Sequence, residues 1–312
     1  MNAQQSPRLI RAANAVSLQV LALLLLFFTN TPAHADTIYV SDSGNNRIVK
    51  YDSNGNSSIF ASSGLSDPQG LAFDSSGNLY AANYGNNTIE KFNSNGVGSV
   101  FASTGLNHPL GLAFDSSGNL YAANSGNYTI EKFDSNGTGT VFVSSGLYDP
   151  AGIGFGKDGK LYVVDGVNIM NSGSISRFDP DGTGGVFVSS GLNYPWGLAI
   201  DSTGNLFVAN LASFHSGNTI LKIDSNGNES LFTASGLNEP IGLAFDSGGN
   251  LYAANYGSGG NNGYIEKYNP DGTPSTFASG LNLPTFIAIQ VPEPATWALL
   301  LVGLLALTFR RR

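Results

Sequence analysis

A segment of forty-odd residues recurs along most of this chain, and that repetition governs what it can fold into. Gly70 opens GLAFDSSGNLYAANYGNNTIEKFNSNGVGSVFASTGLNHPL, and Gly111 opens GLAFDSSGNLYAANSGNYTIEKFDSNGTGTVFVSSGLYDPA. Further copies start at Gly152, Gly197 and Gly242, so the spacings are 41, 41, 45 and 45 residues. Ahead of the first copy stands TIYVSDSGNNRIVKYDSNGNSSIFASSGLSDPQ, Thr37 to Gln69, which lacks the opening segment. Behind the last stands FIAIQ, Phe286 to Gln290, which is an opening segment alone.

Each copy contains four β-like runs separated by turn chemistry. In the first copy the runs are Leu71–Phe73, Leu79–Ala82, Thr88–Phe92 and Ser99–Ser103, with Asp74-Ser-Ser-Gly77 and Asn93-Ser-Asn-Gly96 as tight turns. Glycine supplies the positive φ that such hairpins need. The chain has 40 Gly in 312 residues together with 19 Phe and 13 Tyr, a composition of short strands and turns rather than of helices. Four antiparallel strands per repeat is a propeller blade. Five full copies plus a composite blade, three strands from the amino terminus and FIAIQ as the fourth, give six. The prediction is therefore an all-β, six-bladed β-propeller of four-stranded antiparallel blades over residues 36–290, closed by pairing its N- and C-terminal strands so that no edge is left open.

The segment DSGNNRIVKYDSNG, Asp42 to Gly55, and weaker copies such as NYGNNTIEKFNSNG, Asn83 to Gly96, resemble the NHL repeat. With Pro-x-Gly before each first strand, the resemblance covers Asp36 to Gln290. It implies a six-bladed propeller related in shape to gluconolactonase-type, virginiamycin-lyase-type and RNA-binding NHL propellers. Fold alone does not choose between those functions.

Both termini read as addresses. Arg8 and Arg11 precede the apolar run Val16 to Phe28, and Ala33-His34-Ala35 follows, the pattern of a secretory signal peptide over residues 1–35 cut after Ala35. The alternative is an uncleaved anchor, for which the apolar run is short. Residues 291–312 read VPEPATWALLLVGLLALTFRRR. Pro292-Glu293-Pro294, the apolar stretch Ala295 to Phe309 and the closing arginines resemble the PEP-CTERM sorting signal. That resemblance implies an exosortase as processing partner, transient membrane anchoring by a short transmembrane helix, and export to the cell envelope of a Gram-negative bacterium bearing exopolysaccharide. The alternative is a plain carboxy-terminal anchor.

Charge and cysteine content exclude several classes. No Cys is present, so disulfides, thiolate metal sites and a Cys nucleophile are ruled out. Between Asp36 and Glu293 there are nine basic and 22 acidic residues, an imbalance that repels phosphate backbones and excludes a nucleic-acid partner. No GxSxG, HExxH or phosphate-loop motif occurs.

Chain direction places the blade-to-blade and second-to-third connections on one face, the top, and the Asp-rich turns on the other. Just after each strand-opening Pro, towards the central channel, come Gln69, Leu110, Ala151, Trp196, Ile241 and Thr285. In metal-dependent lactonases of this fold, Asn or Asp at such positions hold a divalent cation, and virginiamycin lyases place His near the channel. These six include no carboxylate, His or Asn, and a hard cation wants several converging oxygens. No metal, cofactor or catalytic residue is assigned, and a lactonase- or lyase-like enzyme remains the alternative. Asp179-Pro-Asp181-Gly reads as a turn rather than a calcium loop. The ring Asp42, Asn83, Asn124, Asp165, Asn210 and Asn255 reads as capping residues, each bonding the turn that it starts.

The candidate ligand-binding residues lie on the top. Those before each Pro are Asp67, His108, Asp149, Tyr194, Glu239 and Leu283, and Trp196 sits beside them in sequence. The second-to-third loop is four residues longer after Asp165, Asn210 and Asn255, which adds Met170, Phe214, His215, Tyr256 and Tyr264. Aromatic rings beside acids and Asn suit a polysaccharide or peptide ligand. The expectation is a binding or scaffold module with its ligand off-centre on the top face, at Asp67, His108, Asp149, Tyr194, Trp196, Phe214, His215, Glu239 and Tyr256, and little apolar area on the opposite face.

Overall fold

The computed structural model describes residues 36–166, 173–211, 218–257 and 261–291. It contains six four-stranded antiparallel sheets arranged as the blades of a ring. The second blade has Pro68–Phe73 as its inner strand, then Leu79–Asn83, Thr88–Phe92 and Gly98–Ala102 outwards. The third to sixth blades follow in the same order, with inner strands Pro109–Phe114, Ile153–Phe155, Pro195–Ile200 and Pro240–Phe245. Inner strands start at the proline in five blades, two or three residues earlier than the apolar pattern indicates. Proline costs no ladder bond at the first residue of a strand.

The first blade is composite. Its inner strand is Pro284–Gln290, followed by Thr37–Asp42, Arg47–Tyr51 and Ser57–Ala61. The pairing runs Thr37 to Gln290, Ile38 to Ile289, Tyr39 to Ala288 and Val40 to Ile287. Ile38, Val40 and Ile287 are buried in one cluster with Tyr252, Ala254 and Ile265 of the sixth blade, so closing the ring and filling the core are one event.

Turn chemistry builds each hairpin. In the second blade, Asp74 Oδ1 accepts from the N–H groups of Ser76 (3.0 Å) and Asn78 (2.8 Å), and Oδ2 accepts from Asn78 Nδ2 at 2.8 Å. Gly77, at φ 79°, supplies the left-handed residue of this turn. Asp115 and Asp201 repeat the arrangement, and Asp181 in the DPDG turn accepts from Thr183, as a turn residue does.

Aromatic rings join blade to blade. Tyr80 meets Phe101 of its own outer strand and Phe114 of the next inner strand edge-on, at 4.9 and 5.0 Å between centroids. Tyr39 and Tyr121 repeat the motif, and such pairs add ~0.5–1.5 kcal/mol beyond the area they bury. At the ring's centre glycine permits closer approach still. A Cβ added at Gly70, Gly111, Gly152, Gly197 or Gly242 would lie 2.0–2.6 Å from a carbonyl oxygen of the next inner strand.

No helix of the described residues is long and apolar enough to cross a membrane. The expected signal peptide, the Ala295 to Phe309 stretch, and with them Ala35, Pro292, Glu293 and Pro294, lie outside the described residues.

Candidate functional site

The top face is built from the chain's arrival at each new blade. Asn83 Oδ1 accepts from Ser66 N–H at 3.1 Å, and its Nδ2 donates to Gly64 O at 2.8 Å. Asn124 does the same for Asn107 and Gly105, and Asn210 for Asn193 and Gly191. These side chains clamp the incoming loop 17–19 residues upstream, and they also tie the turn that they start: Asn83 Nδ2 donates to Thr88 Oγ1 at 3.0 Å, and Asn124 Nδ2 to Thr129 Oγ1 at 3.2 Å. The upstream clamp has a simple cause: the crossover from the previous blade passes over the end of the second strand, within reach of a short amide.

The residue before the proline is fixed by the same crossover. Asp67, His108, Tyr194, Glu239 and Leu283 all adopt left-handed φ between 47° and 58°, a conformation that costs a non-glycine residue ~1–3 kcal/mol. Compensation comes from Asn side chains of the preceding blade: Asn46 Oδ1 accepts from Asp67 N–H and Asn87 Oδ1 from His108 N–H, each at 2.6 Å. Asp149 alone of the six is not left-handed.

The reason is legible one blade back. Tyr128 occupies the position of Asn46 and Asn87 and has no amide oxygen to offer. The Asp149 N–H turns instead to Asp165 Oδ1 at 2.8 Å, where it joins the Tyr148 N–H, which makes at 2.8 Å the same clamp bond that Ser66 makes to Asn83. Tyr128 stacks on Tyr148 with centroids 5.8 Å apart and rings 6° from parallel, both substantially exposed (47% and 58%). The inner strand of this fourth blade is correspondingly reduced to Ile153–Phe155.

Two polar atoms here are buried without a hydrogen-bond partner among the described residues: Asp149 Oδ2 and Trp196 Nε1. The Asp149 side chain is almost fully covered, and burial, reinforced by the nearby Asp165 carboxylate, pushes its pKa up to about 6. Burial also raises Tyr194, and the Asp149 charge adds to that rise, which places Tyr194 within electrostatic reach of the carboxylate. Trp196 packs partly buried against the cluster of Leu110, Ala151, Val164 and Leu198.

A second grouping lies across the mouth. Tyr256 is raised by burial and then by the charges of Asp67 and Glu239, so residues of the second and sixth blades converge there. Asp67, itself raised by burial, accepts from Gln69 Nε2 at 2.7 Å. His108 stands apart, stacked on Tyr84 at 4.6 Å between centroids. Phe214, His215 and Met170 lie outside the described residues. Tyr84, Tyr128 and Tyr148 are top-face residues that the repeat reading did not single out, and Asp165, which it read only as a capping residue, sets its charge near Asp149. Tyr128, the one aromatic in a column that otherwise holds Asn46, Asn87, Gly173, Asn218 and Gly263, was the signal for them.

Charge separates the two faces. Of the nine basic residues in the propeller, Lys50, Lys91, Lys132, Arg177, Lys222 and Lys267 sit opposite second-strand aromatics, and Lys157 and Lys160 occupy a lower turn. Arg47 alone lies at the top end of its strand, where it is paired to Asp42 at 2.6 Å. Asp67, Asp149, Asp165 and Glu239 belong to the top-face connections.

The lower face is less plain than the sequence implied. A cavity of 290 Å³ opens between the fifth and sixth blades, lined by Asp201, Phe207, Lys222, Phe232, Phe245 and Asp246 among others. Phe207, in its lining, stands where the other blades carry Tyr. In the second, third and fourth blades that hydroxyl reaches the turn aspartate at 3.1–3.3 Å.

A divalent cation does not fit the channel-lining positions, where Leu110, Ala151 and Ile241 are apolar and Gln69 is committed to Asp67. No group of three His, Cys, Asp or Glu among the described residues is placed to hold a metal ion.

Comparisons with known proteins fit this geometry. Residues 65–92 match the NHL repeat, and residues 290–312 match the PEP-CTERM protein-sorting motif. No curated protein matches the chain. Among solved structures, a chain of the nidogen/laminin complex superposes with a TM-score of 0.71 at 18% identity, covering 81% of this chain and 98% of that one. A gluconolactonase from Xanthomonas campestris gives 0.60 at 18% identity over 70% and 78%, and a streptogramin B lyase gives 0.60 at 18% over 82% and 88%. At these identities the likeness is one of fold.

Proposed function

We propose that this chain is an exported propeller, sorted to the cell envelope through its PEP-CTERM motif by an exosortase, which binds a ligand on its top face. The setting is the exopolysaccharide-bearing surface of a Gram-negative bacterium. One observation carries the binding reading: the repeat breaks at the top of the fourth and fifth blades, where Asp149 and Trp196 present buried polar atoms with no partner among the described residues. The lower turns, by contrast, satisfy their own carboxylates.

Glycan and peptide arrays probed with residues 36–290 identify the ligand. Trp196→Ala then weakens binding by ~2 kcal/mol or more, the range of interface hot spots, while Asp115→Asn on the lower face leaves it unchanged. The reverse pattern refutes the top-face site. Intact mass of envelope material tests sorting: loss of the segment after Pro292-Glu293-Pro294 supports exosortase processing, and a carboxy terminus at Arg312 refutes it.

A lactonase- or lyase-like activity is the second reading, supported by the solved neighbours and by Asp149. A carboxyl with a pKa of about 6 is in the range for general acid–base work near neutrality. Turnover of lactone substrates that is lost in Asp149→Asn would establish it.

A further inference from the structure

We propose that the lower-face cavity between the fifth and sixth blades holds a neutral sugar ring, whose hydroxyls donate to Asp201 and accept from Lys222. The site is separate from the top face, and its failure would leave the reading above standing.

Blades that carry the tyrosine show what the cavity lacks. In the second blade Tyr80 Oη lies 3.3 Å and Lys91 Nζ 3.5 Å from Asp74 Oδ2. In the third, Tyr121 Oη and Lys132 Nζ lie 3.3 and 3.9 Å from Asp115 Oδ2. Hydroxyl, ammonium and carboxylate thus meet at one point, and hydrogen bonding to Tyr80 is the leading cause that raises the Lys91 pKa. The fifth blade keeps the acid and the base, Asp201 and Lys222, but Phe207 brings no hydroxyl. Asp201 Oδ2 accepts from Asn205 Nδ2 at 2.8 Å and from no other donor among the described residues. Lys222 makes no ion pair among the described residues, and its Nζ lies 5.6 Å from the centre of the Phe207 ring. Asp201 and Lys222 line the same 290 Å³ cavity, so one small ligand meets both.

Charge selects a neutral group. An anion would pair with Lys222 but face Asp201 and Asp246 in the same cavity, and a cation would face the Lys222 ammonium. A hydroxyl donates to a carboxylate and accepts from an ammonium at once, as Tyr80 does in the second blade.

The walls select a sugar. Phe207 is clasped edge-on by Phe232 and Phe245, at 5.0 and 4.9 Å between centroids, and Pro270 extends this apolar surface. Ser202, Asp246 and Ser247 add polar groups from both blades. The C–H bonds of a sugar ring carry the partial positive charge that an aromatic face attracts, while its hydroxyls reach sideways to the polar groups. A phenol has a single hydroxyl and would set a bare ring edge against the polar groups of the sixth blade. At 290 Å³ the space sits at the small end of the ~300–1,000 Å³ range of ligand sites, room for one sugar ring rather than a chain.

Saturation-transfer NMR on the propeller, whose blades close on themselves over residues 36–291, tests this. The probes are the methyl pyranosides of glucose, galactose and mannose, with glucuronate as the anion and p-cresol as the phenol. At least one neutral glycoside is expected to bind, and more tightly than glucuronate or cresol. Phe207→Tyr supplies the missing hydroxyl from the protein and should weaken that glycoside about tenfold or more without lowering the melting temperature. Lys222→Met, which keeps the length of the stem, should weaken it as well and carries the test if Phe207→Tyr melts lower. Trp196→Ala should leave it unchanged. Binding by none of the neutral glycosides overturns the proposal and leaves water as the occupant. Tighter binding of glucuronate overturns the neutral ligand, and tighter binding of cresol overturns the sugar. Glycoside binding that survives both cavity variants overturns the lower-face site, and its loss in Trp196→Ala assigns it to the top face instead.

Discussion

Replacing Gly197 by alanine puts the close approach of the inner strands to the test. The added Cβ would lie 2.0 Å from the carbonyl oxygen of Ile241, 3.1 Å from its carbon and 3.2 Å from the Cα of Gly242. All three are backbone atoms of the neighbouring blade, so no side-chain rotation relieves the clash. The fifth and sixth blades must part by about an ångström to restore an ordinary contact. Overpacking costs ~1–3 kcal/mol, and a backbone obstacle inside a closed ring belongs at the upper end. Alanine loses less chain entropy than glycine on folding, which returns up to ~1 kcal/mol. The net expectation is a loss of about 2 kcal/mol. For a domain of this size each kcal/mol moves the melting temperature by ~2–4 °C, so calorimetry should show a fall of about 4–8 °C. Gly185 in an outer strand is the control, because a Cβ there meets nothing within 4 Å, and Gly185→Ala keeps the entropy gain alone and should melt up to ~2–4 °C above the wild type. Wild-type melting of Gly197→Ala would refute the packing argument.

Deletion of Phe286–Gln290 exposes the Thr37–Asp42 strand edge and removes the buried Ile287, and should consume much of a ~5–15 kcal/mol stability margin; an unchanged urea midpoint contradicts ring closure by that strand. Phe207→Tyr places a hydroxyl near Asp201 as Tyr80 places one near Asp74, and should raise stability by ~0.5–1 kcal/mol; a lower melting temperature contradicts the missing hydrogen bond. The pH dependence has two opposing parts. Glu90, Glu131 and Glu266 are raised by burial, so their contribution is complete below the unfolded glutamate value and is lost as pH rises through the folded values. Turn aspartates such as Asp52, Asp134 and Asp201 are lowered by the hydrogen bonds that they accept, so theirs is present above the unfolded aspartate value and lost in acid. Melting temperatures should therefore peak near ~pH 5 and fall towards neutrality, less so in Glu90→Gln; a curve that climbs steadily to neutral pH contradicts this assignment.

The blades were legible in the sequence because their signals are local. An Asp-x-x-Gly turn between two apolar runs specifies a hairpin wherever it occurs, and the repeat supplied the count and the closing strand. The clamp role of Asn83 and its counterparts was not legible, since the groups it holds lie 17–19 residues upstream and meet it only once the crossover is in place. Left-handed geometry at Asp67, His108, Tyr194, Glu239 and Leu283 runs against the extended bias of a residue before proline; tertiary contacts impose it. The site itself was half visible. Asp149 and Trp196 stood out by type, but their unpartnered atoms show only in the folded packing, and the Asp149 N–H goes to Asp165 where Tyr128 lacks the amide oxygen that Asn46 and Asn87 offer. The lower cavity is lined by Phe207, a single Phe in a column of Tyr.

Tryptophan emission offers the most direct test of the central claim that the ligand sits at the top of the fourth and fifth blades. The chain has two tryptophans, Trp196 and Trp297, and Trp297 falls within the sorting motif at residues 290–312. Residues 36–290 therefore carry Trp196 as their one indole, whose Nε1 is buried and unpartnered among the described residues at the proposed contact. Titration of that propeller with its array ligand should shift and quench the emission to saturation, with a midpoint equal to the calorimetric Kd. Heat of binding without any change in Trp196 emission would place the ligand elsewhere and contradict the account.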